Sequence, residues 1–338
     1  MWHYDLMRRW KMRYMMKQVF LVILLAFGFV ACAQNKIVRK PKKQKPATTQ
    51  VTPKKHKSQS KPTKGGTVKS VATKVSYSNG TLTVNGIKYN MVWVNGGTFR
   101  MGAPSEQGSD VWDHEKPVHS VTLSGYYIGK TEVTQALWKA VMGSNPSEIK
   151  GDNLPVENVS WDDCQVFIRK LNSLTGQNFR LPTEAEWEFA CRGGNNSRGY
   201  KYSGGNYIDN VAWYLDNSGD KTHPVATKLP NELGIYDMTG NVYEWCSDWF
   251  GPYSSGVQTN PKGPYDGLFR VYRGGCCYIY SGYCRSSFRT CRSPNLCGIY
   301  LGLRLSLYVV LGVNESTSQR VNKSTRQQVN ESKKKREK

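Results

Sequence analysis

RVYRGGCCYIYSGYCRSSFRTCRSPNLCGIYLGLRLSLY, residues 270–308, is the most informative stretch of the chain, because an orderly frame in it alternates with clusters of unrelated side chains. The frame consists of Arg270-Val271, Arg273-Gly274-Gly275, Cys284-Arg285-Ser286 and Gly302-Leu303-Arg304-Leu305. The clusters lie at 277–280, 290–292 and 296–300. Neither the strand period of two nor the helix period of 3.6 accounts for their apolar residues. The pattern indicates interchangeable side chains on a fixed scaffold.

The net charge of +22 comes entirely from the ends of the chain. Residues 1–31, 35–74 and 312–338 account for all of it, and the part between them, 75–311, is balanced. A nucleic-acid partner is therefore not expected, since binding phosphates would require a local basic cluster within a neutral domain.

The beginning of the chain reads as an export signal over residues 1–33, with the natural start at Met15 or Met16. A short apolar run, Val19–Leu25, follows Lys17, and the segment closes with Ala31-Cys32-Ala33. Two processing routes fit: lipid attachment at Cys32, which we favour, or cleavage after Ala33. We thus expect an exported protein of the cell envelope or surface, anchored to the membrane as a bacterial lipoprotein or otherwise secreted.

Residues 34–74 are rich in Lys, Pro, Thr and Ser, which predicts a disordered basic linker. Residues 312–338 repeat Val-Asn-Glu/Lys-Ser every eight residues, which predicts a disordered polar tail. Between these segments, 75–311 has the length of a single domain. The whole chain has nine cysteines but no C-x-x-C pair, so neither a zinc site nor a disulfide framework is indicated. We expect Cys164 and Cys191 to be buried as small apolar residues.

Local signals within 75–311 predict few regular elements. Asn79-Gly80 predicts the turn of a hairpin. Capping patterns predict three helix starts: at Thr131 or Thr134, at Ser160 with Asp163, and at Thr183 with Glu186. Gly, Pro and Asn recur too often elsewhere for long elements. The fold class is therefore α+β, with short strands, few helices and much loop.

The motifs along this region resemble the formylglycine-generating enzyme, or sulfatase-modifying factor, domain. They are 91–102 (MVWVNGGTFRMG), 132–134 (EVT), 155–161 (PVENVSW), 180–188 (RLPTEAEWE), 234–245 (GIYDMTGNVYEW) and the closing RGG and GLR. The match runs from about residue 90 to residue 308 with the motifs in order. It implies an irregular fold related to C-type lectins.

The resemblance also implies metal sites, and oxygen ligands from turns suit calcium. One calcium set comprises Asp237, Glu244 and the carbonyls of Gly240 and Val242. A second comprises Asn210 and the carbonyl of Val211. The alternative for the first set is that Asp237 caps a turn while Glu244 pairs with an arginine.

Enzymatic members of this family oxidise a substrate cysteine through two cysteines that bind copper(I). Counted from Gly275, the later cysteine falls on Cys284, but the earlier position is Ile279, which cannot bind copper. Cys276 and Cys277 come two or three residues too early. We therefore expect no copper and a non-enzymatic function, with the copper oxidase as an alternative.

A narrower resemblance is to the variable proteins of diversity-generating retroelements, which carry this domain at their C-terminus. Adenine replacement there gives NNC codons, which cannot encode Trp, Met, Lys, Glu or Gln. None of these five occurs at the twelve candidate positions in the variable region 276–300, namely Cys277, Tyr278, Ile279, Tyr280, Thr290, Cys291, Arg292, Leu296, Cys297, Gly298, Ile299 and Tyr300.

These positions predict a surface-displayed site for an unknown protein or glycan ligand, because cysteines and isoleucines in loops have no economical folding explanation. The twelve side chains are expected to converge on one solvent-facing surface. Two alternatives stay open. Tyr278, Ile279 and Tyr280 would form a core strand in an ordinary structural lipoprotein of the envelope, and a copper oxidase would bind copper.

Overall fold

The computed structural model describes residues 73–109 and 111–308. The predicted export signal with Cys32, residues 34–72 of the predicted linker and the predicted polar tail lie outside these residues. In the described ranges, no helix is both long and apolar enough to span a bilayer.

Thirteen short strands and four α-helices make up the described part, which confirms the irregular α+β class. The helices are α1 (Gln135–Met142), α2 (Trp161–Thr175), α3 (Glu184–Cys191) and α4 (Ile208–Val211). The strands are β1 (Val75–Ser78), β2 (Thr81–Val84), β3 (Ile87–Val94), β4 (Gly97–Met101), β5 (His119–Leu123), β6 (Tyr126–Gly129), β7 (Phe179–Arg180), β8 (Tyr243–Trp249), β9 (Gln258–Thr259), β10 (Arg270–Arg273), β11 (Arg289–Arg292), β12 (Leu301–Gly302) and β13 (Ser306–Leu307).

The predicted local signals act as the sequence indicates. Asn79 and Gly80 adopt positive φ and join β1 to β2. Thr134, Ser160 and Thr183 are the N-caps of α1, α2 and α3, and each side chain accepts a hydrogen bond from a backbone N–H of the first turn. Capping boxes, in which the N-cap and N3 side chains each accept from the other's backbone N–H, are present at the N-termini of α2 and α3.

Three sheets organise the described residues, and segment 301–307 links two of them. A six-stranded sheet has the order β1-β2-β3-β6-β13-β7, a four-stranded sheet β11-β10-β8-β12, and a three-stranded sheet β4-β5-β9. Residues 301–307 supply both β12 and β13. The frame of segment 270–308 is therefore part of two sheets, which fixes the loops that it encloses.

Two large apolar clusters and a small third one fill the space around these sheets. One gathers α1, α2 and the closing strands around Trp245, and the other gathers α3 and β5 around Trp187. Both indoles are fully buried, as are Cys164 and Cys191, so the expectation for these two cysteines is confirmed. Burial of such large side chains is the main source of stability in a fold with little regular structure.

Candidate functional site

Buried ion pairs hold the frame of the C-terminal segment. Four frame or near-frame arginines are buried: Arg273, Arg285, Arg289 and Arg304. Each pairs with buried glutamate: Arg273 with Glu184 and Glu188, Arg289 with Glu184, Arg285 with Glu115, and Arg304 with Glu244. Removing one partner of such a pair costs roughly 3–5 kcal/mol, because the other charge is left unpaired in the interior.

The electrostatics of these pairs favour the charged forms. Burial alone raises the pKa of Glu184, but the charges of Arg289 and Arg273 outweigh that effect and hold the pKa below its ordinary value. Sequence reasoning anticipated an arginine partner for Glu244 but missed Glu115, Glu184 and Glu188 as partners. Its only signal was the equal number of acids and bases in 75–311, since Glu115 and Arg285 are 170 positions apart.

The first candidate segment, 277–280, leaves β10 through Gly274 and Gly275, both at positive φ. A Cβ atom at Gly275 would lie 2.4 Å from the sulfur of Cys284, so only glycine fits there. Cys277 donates its N–H to the carbonyl of Asn241 (2.9 Å) and is buried. Tyr278, Ile279 and Tyr280 are half-buried and form no strand, which excludes the core-strand alternative for these residues.

The second segment, 290–292, lies in the edge strand β11. Thr290 and Arg292 pair with Tyr272 and Arg270 of β10, whereas Cys291 pairs with Val271. Because side chains alternate along a strand, Cys291 points to the opposite face from Thr290 and Arg292. All three are partly exposed.

The third segment, 296–300, is a loop that leads into β12. Its Gly298 carbonyl accepts from the N–H of Asn158 (2.9 Å), and the Tyr300 carbonyl accepts from that of Tyr243 (2.8 Å). Cys297 and Gly298 are buried, while Leu296, Ile299 and Tyr300 are partly exposed.

Backbone and side-chain contacts bring the three segments together. Cys277 and Tyr300 bond to Asn241 and Tyr243, which are two residues apart, so the first and third segments flank the same piece of chain. The guanidinium of Arg292 donates to the hydroxyl of Tyr300, which joins the second segment to the third.

The prediction that all twelve side chains share one exposed surface is nevertheless wrong in part. Nine of the twelve are partly exposed. Cys277 and Cys297 are buried, and Gly298 is buried and has no side chain to display. Cys291 is exposed on the other face of β11, because of strand alternation. We define the variable surface as the remaining eight residues: Tyr278, Ile279, Tyr280, Thr290, Arg292, Leu296, Ile299 and Tyr300.

The first calcium set does not fit as predicted. Both carboxylate oxygens of Glu244 accept from Arg304, and one also accepts from the indole of Trp187 (2.7 Å). Asp237 has positive φ and accepts from the N–H of Ala226 (2.7 Å), which matches the alternative of a turn cap and an arginine pair. Gly240 also adopts a positive φ, and Val242 immediately precedes β8.

The second calcium set is a sparse donor group. Asn210 is exposed at α4, beside the buried Val211, and its own carbonyl accepts from the N–H of Leu229 (3.0 Å). Among residues 73–109 and 111–308, no group of three or more His, Cys, Asp or Glu side chains could hold a metal ion.

The two positions that correspond to the copper cysteines are close in the structure. Ile279 packs against the small apolar cluster that contains Cys284. Burial raises the pKa of the Cys284 thiol well above its ordinary value, so the group is a neutral thiol at physiological pH. Cys276 is likewise buried, and burial raises the pKa of its thiol to about 12.

The fold and the site define an irregular, C-type-lectin-like domain whose closing loops stand on a buried ionic frame. The family described as "Sulfatase-modifying factor enzyme 1-like domain" matches residues 82–308. The chain belongs to this family, which confirms the resemblance inferred from its motifs.

The relatives of this chain include a formylglycine-generating enzyme and a protein described as a chaperone. The chain is 31% identical to the formylglycine-generating enzyme of Streptomyces coelicolor, over 62% of this chain and 86% of that protein. It is 36% identical to the chaperone protein LppX of Paenibacillus barcinonensis, over 55% of this chain and 78% of that protein. Family membership therefore leaves the catalytic status of this chain open.

Solved structures agree with the fold. Treponema denticola variable protein 1 superimposes with a TM-score of 0.61 at 34% identity, covering 67% of this chain and 98% of that one. PvdO of Pseudomonas aeruginosa superimposes with a TM-score of 0.54 at 24% identity, which supports the fold alone. The narrower resemblance to a variable protein is thereby confirmed at the level of structure.

Proposed function

We propose that this chain is a non-enzymatic ligand-binding protein of the cell surface, whose C-terminal site is diversified by a retroelement. One observation carries the proposal: within residues 270–308, the frame residues and the candidate positions differ in how deeply they are buried. Frame residues such as Arg273, Cys284 and Arg285 are buried, whereas nine of the twelve candidate positions are partly exposed. The structural likeness to a variable protein supports the same reading.

The physical logic is a separation of stability from binding. The arginine–glutamate pairs and buried indoles hold the loops, so substitutions on the variable surface leave the core intact. Tyrosines such as Tyr278, Tyr280 and Tyr300 supply large contact area with few rotatable bonds, as in antibody loops. The ligand is a protein or glycan, and a lipid on Cys32 would hold the domain at the membrane.

Calcium belongs to this proposal only as a cation at Asn210 and the carbonyl of Val211, since Glu244 is already paired with Arg304. Where bound, it would rigidify the loop around α4. No step of ligand binding depends on it.

A pair of matched libraries tests the proposal. One randomises the eight residues of the variable surface with NNC codons, and the other randomises eight buried residues between 271 and 289. We expect most members of the first library to resist proteolysis and some to bind a chosen protein target. Loss of folding at equal frequency in both libraries would contradict the proposal and favour an ordinary structural lipoprotein of the envelope.

The copper oxidase is the second candidate, because the family includes formylglycine-generating enzymes and Cys284 occupies one of the two positions. The isoleucine at 279 argues against it, since a hydrocarbon side chain cannot bind copper(I). Oxidation of a peptide cysteine by the unmodified chain, dependent on copper, would establish the enzyme and exclude the non-enzymatic assignment.

A further inference from the structure

A cavity of about 530 Å³ lies beside the variable surface, between residues 111–113 and the 3-10 helix Ser281–Tyr283. It is lined by Val111, Trp112, Asp113, Gly282 and Tyr283. Tyr283 donates its N–H to the carbonyl of Tyr280 (3.0 Å), so the cavity adjoins the first candidate segment. None of the five lining residues is among the twelve candidate positions, so diversification of those positions would leave the lining side chains unchanged.

Two aromatic rings border this cavity. The indole of Trp112 is 51% exposed. One of its neighbours is His114, which stacks on it with ring centroids 5.9 Å apart. The other is Tyr283, whose ring lies 6.5 Å away and is tilted by 38°. Two tilted aromatic faces around an open space are the arrangement that attracts a cation through ring quadrupoles.

The charges at the cavity favour the same class of ligand. Asp113 is fully exposed, and its carboxylate contacts Lys116 at 3.4 Å in an exposed pair of little strength. Among the described lining residues there is one carboxylate and no basic group. Arg285 donates Nε to the carbonyl of Gly282, but both its Nη atoms bond to Glu115, so its charge is neutralised beneath the cavity.

The rings are held by the buried frame. Glu115 accepts from the N–H of Trp112 (2.9 Å) while it pairs with Arg285. Tyr283 packs edge-on against Phe288, with ring centroids 5.2 Å apart. His114 bonds through Nε2 to the carbonyl of Arg289 (2.9 Å). Little side-chain conformational entropy is therefore lost when a ligand binds between these rings, because they are already held in place.

We propose that Trp112, Tyr283 and Asp113 form a fixed subsite for a cationic group, the guanidinium or ammonium of a peptide ligand. The aromatic faces contact the cation, and Asp113 supplies the opposite charge at the rim. The proposal rests on the proposed function in one respect: the peptide that contacts the subsite is the ligand that also contacts the variable surface. It would give every diversified variant a common preference for basic peptides.

The test uses the full chain labelled with ¹⁵N at its ten tryptophan indoles. Nα-acetyl-arginine amide is titrated as the probe, and its neutral isostere, Nα-acetyl-citrulline amide, is titrated in parallel. Trp112→Ala identifies the resonance of Trp112. We expect that resonance to shift with the arginine probe and much less with the citrulline probe.

Variants separate the subsite from general effects. Asp113→Asn leaves both rings in place and should weaken arginine binding about two- to fivefold, as loss of one exposed charge contact predicts. Trp93→Ala is the matched control, because Trp93 is 42% exposed and contacts the ring of Tyr127. It should not change binding.

The outcomes also distinguish this subsite from the proposed function. Tyr300→Ala, on the variable surface, should leave probe binding unchanged. Equal shifts with arginine and citrulline, or no effect of Asp113→Asn, would overturn the subsite whatever the variable surface does. Probe binding that persists while randomised variable surfaces yield no binders would keep the subsite and remove the proposed function.

Discussion

Arg285→Met should destabilise the domain strongly, because it removes the cation from a buried pair. The two Nη atoms of Arg285 lie 2.7 Å from the two carboxylate oxygens of Glu115, and both residues are buried. Leaving Glu115 unpaired should cost about 3–5 kcal/mol. For a domain of this size each kcal/mol lowers the melting temperature by about 2–4 °C, so the expected decrease is about 6–20 °C.

Differential scanning calorimetry on the variant measures this decrease, and Arg292→Met is the matched control. Arg292 is partly exposed on the variable surface, so the same substitution there should cost less than about 1 kcal/mol. The double variant Glu115→Leu/Arg285→Met should recover much of the loss, since it leaves no unpaired charge.

The pH dependence has a definite sign. Burial alone raises the pKa of Glu115, but hydrogen bonds from Arg285 and Ser287 outweigh burial and hold the pKa below its ordinary value. The pair therefore stabilises the fold above the pKa of the unfolded-state carboxyl, and this contribution is lost as the pH falls through the folded-state pKa. In Arg285→Met the lone carboxyl favours its neutral form, so the destabilisation should shrink as the pH falls toward about 4. Equal costs for Arg285→Met and Arg292→Met would refute the division between frame and surface.

Three further predictions concern the site and the domain boundaries. Tyr280→Ala should cost less than about 1 kcal/mol of unfolding free energy in chemical denaturation, because its ring is partly exposed. Tyr278→Ala and Tyr300→Ala should cost about 1–2 kcal/mol, because both side chains pack against the larger core cluster. Values near 3–5 kcal/mol would show that these tyrosines are core residues. Ile279→Cys should create a copper(I) site with Cys284, measured by competition with a chelator, whereas the unmodified chain should bind copper weakly; equal affinity in both would contradict the reasoning. Deleting 35–74 and 312–338 should leave a cooperative thermal transition, and a molten or insoluble product would show that the boundaries are wrong.

The sequence predicted best what depends on neighbouring residues. The caps at Ser160 and Thr183 and the turn at Asn79-Gly80 are local, because each is set by side chains within three positions of the backbone groups that they satisfy. The family motifs identified the fold because they specify many such local geometries in order.

The remaining features could not be predicted, because they depend on contacts between residues that are far apart in the sequence. Glu244 has the right chemistry for calcium, and only the fold brings Arg304 and Trp187 to its two oxygens. Likewise, the register of β11 against β10 decides that Cys291 lies on the face of Val271 and Thr290 on the opposite face, and a one-residue slip would exchange the two faces. Trp112 was missed because a single tryptophan in a polar loop has no periodicity to mark it.

Sequencing this gene and the DNA beside it from many cells of one population tests the central claim most directly. The account predicts that copies differ only at codons 277–280, 290–292 and 296–300, that the changed codons have the form NNC, and that a reverse transcriptase and a near-identical template repeat lie nearby. Identical copies without such neighbours, or differences scattered through the buried frame, would contradict it.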